Sequence, residues 1–396
     1  MNIILKFLSF LSVFQIVKAT ITVTPIDAEF EAFQFYAISE DGNVIVTTHR
    51  TETESETKDF IRVYRKDDSD SWTNYDEIVL ENQHEEFQMY PSISDDGNKF
   101  VVIILGTLVD DNGEEVEDFY GHVKKYIYFR VYEYNSNDEI WEIHGEINPD
   151  IDFKDMSYVN RLSFGDVKIS GNGDRIVTIF HTDAPSEVET SENEYFVSVY
   201  GFDSNAKTWN EEKKIEGIHA AISSNGDRIT VSFWGGEVKV FGIDTSWHEE
   251  RTIEFPDGFQ PMILRMSGDG ETFISVETDE NGFGMHLYVC KSEIQNCEKK
   301  LVDNGNFHES NISNDGNIVV VATNDQVVLH KYEHGEWTLL CKPISNTEGK
   351  RYFLPVFYGD GSKLAVEVQI EGESNYRLEL KELTYLTTTG DCGGGM

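Results

Sequence analysis

Seven short apolar runs, spaced along the whole chain, dominate its hydrophobic pattern. They are residues 44–46, 100–105, 176–180, 229–234, 273–276, 318–322 and 364–368. An unbroken apolar run of this length is typical of a strand that is buried on both faces. After each run comes a segment in which apolar and polar residues alternate, which is typical of a half-exposed strand. The pattern therefore predicts seven copies of one β-unit.

The same short phrase precedes every apolar run: a small or polar residue, any residue, Asp or Asn, and then Gly. The seven copies begin at Ser39, Ser94, Ser170, Ser223, Ser267, Ser313 and Tyr358. Asp-Gly and Asn-Gly favour tight hairpins, because Gly adopts positive φ without strain and Asp or Asn tolerate it. The phrase therefore predicts the turn between the first and second strands of each unit.

A tryptophan opens the predicted fourth strand of most units. These residues are Trp72, Trp141, Trp209, Trp247 and Trp337, and in the fifth unit the same place falls near Cys297. Because each indole buries a large area, we expect these side chains to act as wedges between units. Four-stranded units that repeat roughly every 50 residues indicate a β-propeller.

The seventh unit lacks a fourth strand of its own, whereas a spare β-rich segment, residues 20–24, precedes the first unit. We expect this segment to complete the last blade, because pairing the two ends of the chain closes the ring and covers exposed edges. The predicted fold is thus an all-β, seven-bladed β-propeller over residues 20–385, with four-stranded antiparallel blades and an N-terminal strand in the last blade.

This pattern resembles secreted propellers of the FG-GAP type, as in integrin α heads, and also Trp-Asp-repeat propellers. The resemblance covers nearly all of residues 20–385 and rests on the seven turn phrases, the seven apolar strands and the five tryptophans. The Asp-x-Asp-x-Asp-Gly calcium loop of many FG-GAP blades is missing from every copy, as are regular Trp-Asp and Gly-His pairs. The ligand chemistry of neither family is therefore carried over to named residues.

The N-terminus predicts a secretory signal peptide over residues 1–19. A short segment with one positive charge is followed by the apolar stretch 7–17, and Val17 and Ala19 are small residues suited to cleavage after Ala19. The alternative, an uncleaved anchor, is disfavoured because the apolar run is short for a bilayer span. We therefore expect a secreted protein, or one in the lumen of the secretory pathway, without membrane insertion and with a Gly/Thr-rich tail at 386–396.

Four cysteines, Cys290, Cys297, Cys341 and Cys392, fit an oxidising compartment. Cys290 and Cys297 flank a short turn-like stretch and are placed to bridge neighbouring strands, but four cysteines allow three pairings and the sequence does not choose among them. Their spacing fits no zinc site. One glycosylation sequon starts at Asn311, in a predicted first strand.

Charge is the outlier of the composition, with 32 basic and 72 acidic residues and a net charge of −40. The negative electrostatic field of such a charge repels phosphate backbones and anionic membranes, so we exclude nucleic-acid binding. The same field attracts cationic partners and divalent cations. The long loops of the first three units are also acidic. Calcium ligands in one of them are proposed to be Asp110, Asn112, Glu114, Glu115 and Asp118, the alternative being a solvated acidic loop.

No nucleophile elbow, phosphate-binding loop or zinc-hydrolase motif occurs in the sequence. The favoured hypothesis is a secreted, non-enzymatic scaffold that presents the acidic loops of units 1–3 to a protein, glycan or divalent cation. The alternative is an enzyme with its site at the central channel, a polysaccharide hydrolase or lyase or a calcium-dependent phosphatase. A third hypothesis is an intracellular assembly propeller.

Overall fold

The structure, a computed structural model, describes most of the chain in detail. The described residues are 20–26, 35–52, 57–67, 72, 75–80, 85–110, 112, 114–116, 123, 125–149, 166–182, 194–255, 263–278, 285–291, 297–302, 307–323, 326–340, 343–345, 350–359, 361–370 and 376–386. Within these residues, no helix is long and apolar enough to cross a membrane.

The described strands form seven antiparallel sheets, each the blade of a propeller. Blade 1 contains β2 (Phe35–Ile38), β3 (Val44–Glu52), β4 (Thr57–Arg65) and β5 (Tyr75–Val79). Blade 2 contains β6 (Glu85–Ile93), β7 (Lys99–Thr107), β8 (Lys125–Asn135) and β9 (Ile140–Ile147). Blade 3 contains β10 (Val167–Ile169), β11 (Arg175–Thr182), β12 (Glu194–Asp203) and β13 (Thr208–Glu216).

Blades 4 to 6 follow the same order. Blade 4 contains β14 (His219–Ile222), β15 (Arg228–Phe233), β16 (Glu237–Ile243) and β17 (Trp247–Glu254). Blade 5 contains β18 (Ile263–Met266), β19 (Thr272–Thr278), β20 (Met285–Lys291) and β21 (Glu298–Val302). Blade 6 contains β22 (Phe307–Ile312), β23 (Ile318–Thr323), β24 (Gln326–Glu333), β25 (Glu336–Leu339) and a short extra strand, β26 (Ile344–Ser345), paired with β24.

Blade 7 joins the two ends of the chain. It contains β27 (Lys350–Tyr358), β28 (Lys363–Ile370), β29 (Tyr376–Leu386) and, as its outer strand, β1 (Thr20–Ile26). Strand β1 pairs antiparallel with β29 over its full length, from Thr20 opposite Leu386 to Ile26 opposite Leu380. The predicted seven blades and the predicted N-terminal closing strand are both confirmed.

The repeated phrase forms the turn between the first and second strands, as predicted. In the first copy, Ser39 Oγ donates to Asp41 Oδ1 at 2.5 Å and accepts the amide of Val44 at 3.0 Å. The amide of Gly42 donates to the carbonyl of Ser39, and Gly42 has φ +69°. The same Ser-to-Asp/Asn bond recurs in the next five copies, at Ser94, Ser170, Ser223, Ser267 and Ser313.

The core lies between blades. Val320 and Ala322 of blade 6, for example, pack in one cluster with Val366 and Val368 of blade 7, and all four are at most 1% exposed. Both faces of a second strand contact a neighbouring blade, which explains its continuous apolar run. The five tryptophans pack in or against these interblade clusters, as expected for wedges. These are Trp72, Trp141, Trp209, Trp247 and Trp337.

Candidate functional site

The seven turns meet around the axis at one end of the ring, which we call the turn face. The second residue of each phrase links neighbouring turns through its backbone: the amide of Asp95 donates to Gly171 O at 2.8 Å, and that of Ser224 to Gly268 O at 2.9 Å. The amide of Gly359 in blade 7 donates to Glu40 O in blade 1 at 2.5 Å. These bonds fix the turns relative to one another and frame a central depression.

This depression, the axial basin, has a volume of about 1070 Å³. Its lining is Glu40, Asp41, Asp95, Asp96, Ser224, Asn225, Gly268, Asp269, Asn314, Asp315, Gly359, Ser362 and Lys363. Carboxylates therefore dominate the described lining, where Lys363 is the one cationic side chain. Low-dielectric walls and charges of one sign concentrate oppositely charged solutes in such a depression.

Glycines at the second phrase position make room for the polar side chains of the basin. A Cβ on Gly171 would lie 2.1 Å from Asp95 Oδ2, and one on Gly268 would lie within bonding distance of Asn314 Oδ1. Ser224 Oγ lies 3.0 Å from the side-chain amide of Asn314. Polar side chains therefore fit at this position because the neighbouring turns have glycine there.

The carboxylates of the basin have two roles. Those at the third phrase position are engaged in their own turns: burial opposes ionisation of Asp315, but hydrogen bonds from Ser313 and Asn317 lower its pKa below the usual value. Asp95 behaves differently. Burial raises its pKa, a hydrogen bond from Ser224 opposes that rise, and the charges of Asp96 and Asp41 add to it. A nearby cation would favour the ionised form of Asp95.

The first strands also carry a network of charged residues into the channel behind the basin. Arg265 of blade 5 lies 3.8 Å from Asp166, which precedes blade 3, and 3.3 Å from Glu309 of blade 6. Lys168 Nζ contacts Asp166 Oδ2 at 2.9 Å. The contact between Arg265 and Asp166 skips blade 4 and therefore crosses the channel, whereas that between Arg265 and Glu309 joins adjacent blades.

The network contains a histidine in blade 4. Burial and the charge of Arg265 lower the pKa of His219 to about 4, although Asp166 opposes them. Burial opposes ionisation of Asp166, but Lys168 and Arg265 keep its pKa below the usual value. At neutral pH this network therefore holds an ionised carboxylate and a neutral imidazole, neither with a pKa near 7, as a general acid or base needs. Within the described residues, no group of three His, Cys, Asp or Glu side chains is placed to hold a metal.

The loop proposed to bind calcium forms a small hairpin in its described part. Val109 pairs with Glu115, and Asp110 Oδ1 accepts the amides of Asn112 at 2.8 Å and Glu114 at 3.0 Å. Asp110, Asn112, Glu114 and Glu115 are all exposed. Asp118 lies outside the described residues. Asp110 thus serves as a cap for the turn, and calcium binding by this loop stays a prediction.

Cys290 and Cys297 are joined in a disulfide, with their Cα atoms 4.3 Å apart. Cys341 and Cys392 lie outside the described residues. Asn311 is half-buried on β22, the first strand of blade 6, opposite Val320. Glycosylation there stays a prediction.

The axial basin and the charged channel were not predicted from the sequence. Their residues come from different blades, so no local motif identifies them. The one sequence feature that could have indicated them is the second position of the phrase, which is polar in four units and glycine in the other three. The polar residues are Glu40, Asp95, Ser224 and Asn314.

Comparison with known proteins identifies no family for this chain. No protein-family model and no curated protein matches the chain. A Lactobacillus plantarum structure is similar, with 12% identity, a TM-score of 0.47 and coverage of 81% of this chain and 86% of that one. A Bacteroides fragilis protein described as a candidate 6-phosphogluconolactonase has 13% identity, a TM-score of 0.45 and the same coverage. Likeness at this level carries no argument about function, and the resemblance to FG-GAP or Trp-Asp-repeat propellers stays a prediction.

Proposed function

We propose that the protein is a secreted, non-enzymatic binding scaffold that captures a cationic partner in the axial basin. The observation that carries this proposal is the lining of the basin, in which six carboxylates from blades 1, 2, 5 and 6 face a single Lys363. The raised pKa of Asp95 adds support, because part of the rise comes from neighbouring negative charges that a bound cation would offset.

The partner class follows from the shape and charge of the basin. A depression of about 1070 Å³ admits a chain of several cationic groups, such as a polyamine or a Lys/Arg-rich peptide. A rigid frame, built from hydrogen bonds between adjacent turns, holds the carboxylates in place before the partner arrives. Binding then costs little reorganisation.

Secretion is part of the proposal. Its support is the predicted signal peptide at residues 1–19 together with the Cys290–Cys297 disulfide, because disulfides persist in oxidising compartments. The exposed acidic hairpin around Asp110, with Leu108 and Val109 also exposed, is retained as a second proposed contact surface. Loops over a rigid scaffold commonly carry binding.

Calorimetric titration of the mature chain with spermine tests the proposal. We expect binding that weakens steeply as salt is raised, because screening reduces the attraction. The double variant Glu40→Gln/Asp95→Asn should lose at least about tenfold in affinity, equal to about 1.4 kcal/mol. The control is Asp76→Asn, an exposed aspartate on the outer strand β5. Equal loss in both variants, or no binding by the wild-type chain, would contradict the basin as the site.

The enzyme hypothesis has less support. The described channel carboxylates Asp166 and Glu309 are each engaged with Arg265, so neither is free to act as an acid or nucleophile. An ion pair across the channel connects its walls, whereas a glycoside hydrolase needs two carboxyl groups that face each other across the substrate.

A further inference from the structure

A cation recurs two residues after the turn glycine in blades 2, 3, 4 and 7, and in blades 2, 3 and 4 it bridges to the next blade. In blade 3, Arg175 Nε contacts Glu212 Oε2 at 2.9 Å, and its Nη1 donates to Gly226 O of blade 4 at 3.3 Å. In blade 4, Arg228 Nε contacts Glu250 Oε2 at 3.1 Å and its other arm pairs with Glu271 of blade 5. Both guanidinium groups thus span the gap between their own blade and the next.

Blade 2 has a lysine at this place, and its shorter head group does not span the gap in the same way. Lys99 Nζ lies 3.5 Å from Gly173 O, 3.7 Å from Glu133 Oε1 and 3.7 Å from Asp174 Oδ1. These distances exceed those of good charged hydrogen bonds. The Lys99 side chain is only 16% exposed, so its ammonium group has lost much of its hydration and gained only these long contacts.

A pocket of about 250 Å³ opens beside the lysine, which we call the Lys99 pocket. It is lined by Asp96, Asn98, Lys99, Glu133, Tyr134, Ser136 and Asn172, so every lining side chain has a polar group. At about 30 Å³ for each water molecule in the liquid, this space corresponds to about eight waters. A single six-membered sugar ring with its hydroxyls is of this size.

The lining charges select against ionic ligands. An anion approaching Lys99 would meet the carboxylates of Asp96 and Glu133 and that of nearby Asp174. A cation would meet the ammonium group, which faces two lining carboxylates here and not the six of the axial basin. A neutral ligand avoids both repulsions. Hydroxyl groups suit the pocket because each can donate to a carboxylate and accept from the ammonium group or from the amides of Asn98 and Asn172. Tyr134 adds an aromatic ring to the lining.

We propose that the Lys99 pocket binds one neutral sugar unit, either a free monosaccharide or the terminal unit of a glycan. This site lies between blades 2 and 3 at the rim of the turn face, apart from the central mouth of the axial basin, although Asp96 lines both. The ligand differs from the cationic partner proposed above, so the two proposals stand or fall separately.

The repeat itself supplies the decisive variant. Lys99→Arg should extend a guanidinium toward Glu133 and Asp174 and fill the pocket. Arg175 and Arg228, at the same repeat position, contact a fourth-strand glutamate where blade 2 has His144. We expect the melting temperature of this variant to be equal to or higher than that of the wild-type chain. The matched control is Lys239→Arg on β16, which makes the same exchange beside Glu237 and Glu249 away from the pocket.

Saturation-transfer NMR with glucose, galactose, mannose, N-acetylglucosamine and their methyl glycosides provides the measurement. The wild-type chain and Lys239→Arg should bind at least one neutral sugar, with affinity on the order of millimolar for so few atoms. Lys99→Arg should lose at least about tenfold in affinity while binding spermine unchanged. Binding of the methyl glycosides would assign a terminal glycan unit, and binding of free sugars alone would assign a monosaccharide.

Three results would overturn the proposal: no binding of any neutral sugar, unchanged sugar binding by Lys99→Arg, or tighter binding of the acids gluconate or glucuronate than of the neutral sugars. Glu133→Gln is a second variant that keeps the shape of the lining. It should weaken sugar binding, because an amide accepts fewer hydroxyl hydrogen bonds than a carboxylate.

Discussion

Thr22 in the N-terminal strand lies directly opposite Thr384, near the other end of the chain. The ring is therefore closed inside blade 7, by the pairing of β1 with β29 rather than by a covalent turn. Two further contacts join blade 7 to blade 1: Tyr36 Oη donates to Leu354 O at 2.5 Å, and the amide of Gly359 donates to Glu40 O. Because the axial basin needs all seven turns in place, its geometry depends on this closure.

Proline at position 22 should weaken the pairing of β1 with β29. Pro25 lacks an N–H, so position 25 is one whose N–H would point away from β29. The N–H direction alternates along a strand, so the N–H of Thr22, three positions earlier, points toward β29. Thr22→Pro should lower the free energy of unfolding by about 2 kcal/mol through the lost ladder bond and its distortion. Thr22→Ala, which keeps the N–H, is the control. Equal denaturation midpoints for the two variants would show that the ladder at Thr22 contributes nothing.

The turn glycines should be intolerant for two separable reasons. Gly97 has φ +66°, and a Cβ there would lie 2.5 Å from Val44 Cγ2 of the adjacent blade. Gly335 has φ +87°, but a Cβ there would have no heavy atom within 4 Å. Gly335→Ala should cost about 1 to 2 kcal/mol from backbone strain alone, whereas Gly97→Ala should cost a further 1 to 3 kcal/mol, roughly, from overpacking. Thermal denaturation of both variants measures the difference, and equal costs would show that the interblade contact is easily relieved.

Glu367 should make the ring less stable as pH rises. It is 3% exposed on β28, its Oε2 is buried without a hydrogen-bond partner, and burial raises its pKa to about 8. In the unfolded chain it titrates near 4.5, so between about pH 4.5 and 8 the folded protein holds a proton that the unfolded chain has released. Stability from this group is thus complete at low pH and is lost as pH rises through that window.

Glu367→Gln removes this penalty. The variant should exceed the wild-type chain by about 1 kcal/mol or less at pH 5 and by about 3 kcal/mol at pH 7, taking about 1.36 kcal/mol for each pH unit above 4.5. Urea denaturation at pH 5, 7 and 9 measures the gap, with Glu382→Gln, an exposed residue on β29, as the control. A gap that does not widen with pH would show that Glu367 is ionised in the folded protein.

The Cys290–Cys297 disulfide should stabilise blade 5 modestly. The two residues are seven positions apart, so the loop that they close is short and the chain-entropy gain is about 2 to 3 kcal/mol. Reductant should lower the melting temperature accordingly. Maleimide labelling in denaturant should modify Cys290 and Cys297 only after reduction. Labelling of these residues without reductant would contradict the disulfide and weaken the case for secretion.

The architecture was predictable because each of its signals is local. The repeated phrase contains what the turn needs: a serine that donates a hydrogen bond to the Asp or Asn two residues later, and a glycine that adopts positive φ. A continuous apolar run then marks a strand with a blade on either side. The closing strand also followed, because the last unit was one strand short and a β-rich segment was left over at the N-terminus. The extra strand β26 was not predicted, since two paired residues leave no periodic pattern.

The sites were not predictable because they depend on distances between blades. Asp95 gains its environment from Gly171 and Ser224, each in a different blade. The Lys99 pocket lies at a repeated position where blade 2 has lysine opposite Glu133, whereas blades 3 and 4 have arginine opposite glycine. Both effects depend on side-chain length and register around the ring, and a single strand's sequence contains neither.

Capture of the cationic partner by the axial basin can be observed by NMR titration of the backbone amides with spermine. We expect the largest shifts at the linked amides of the turn face, those of Asp95, Ser224, Gly268 and Gly359, saturating together at one affinity. Shifts concentrated instead in the acidic hairpin around Asp110, with the turn-face amides unmoved, would contradict it.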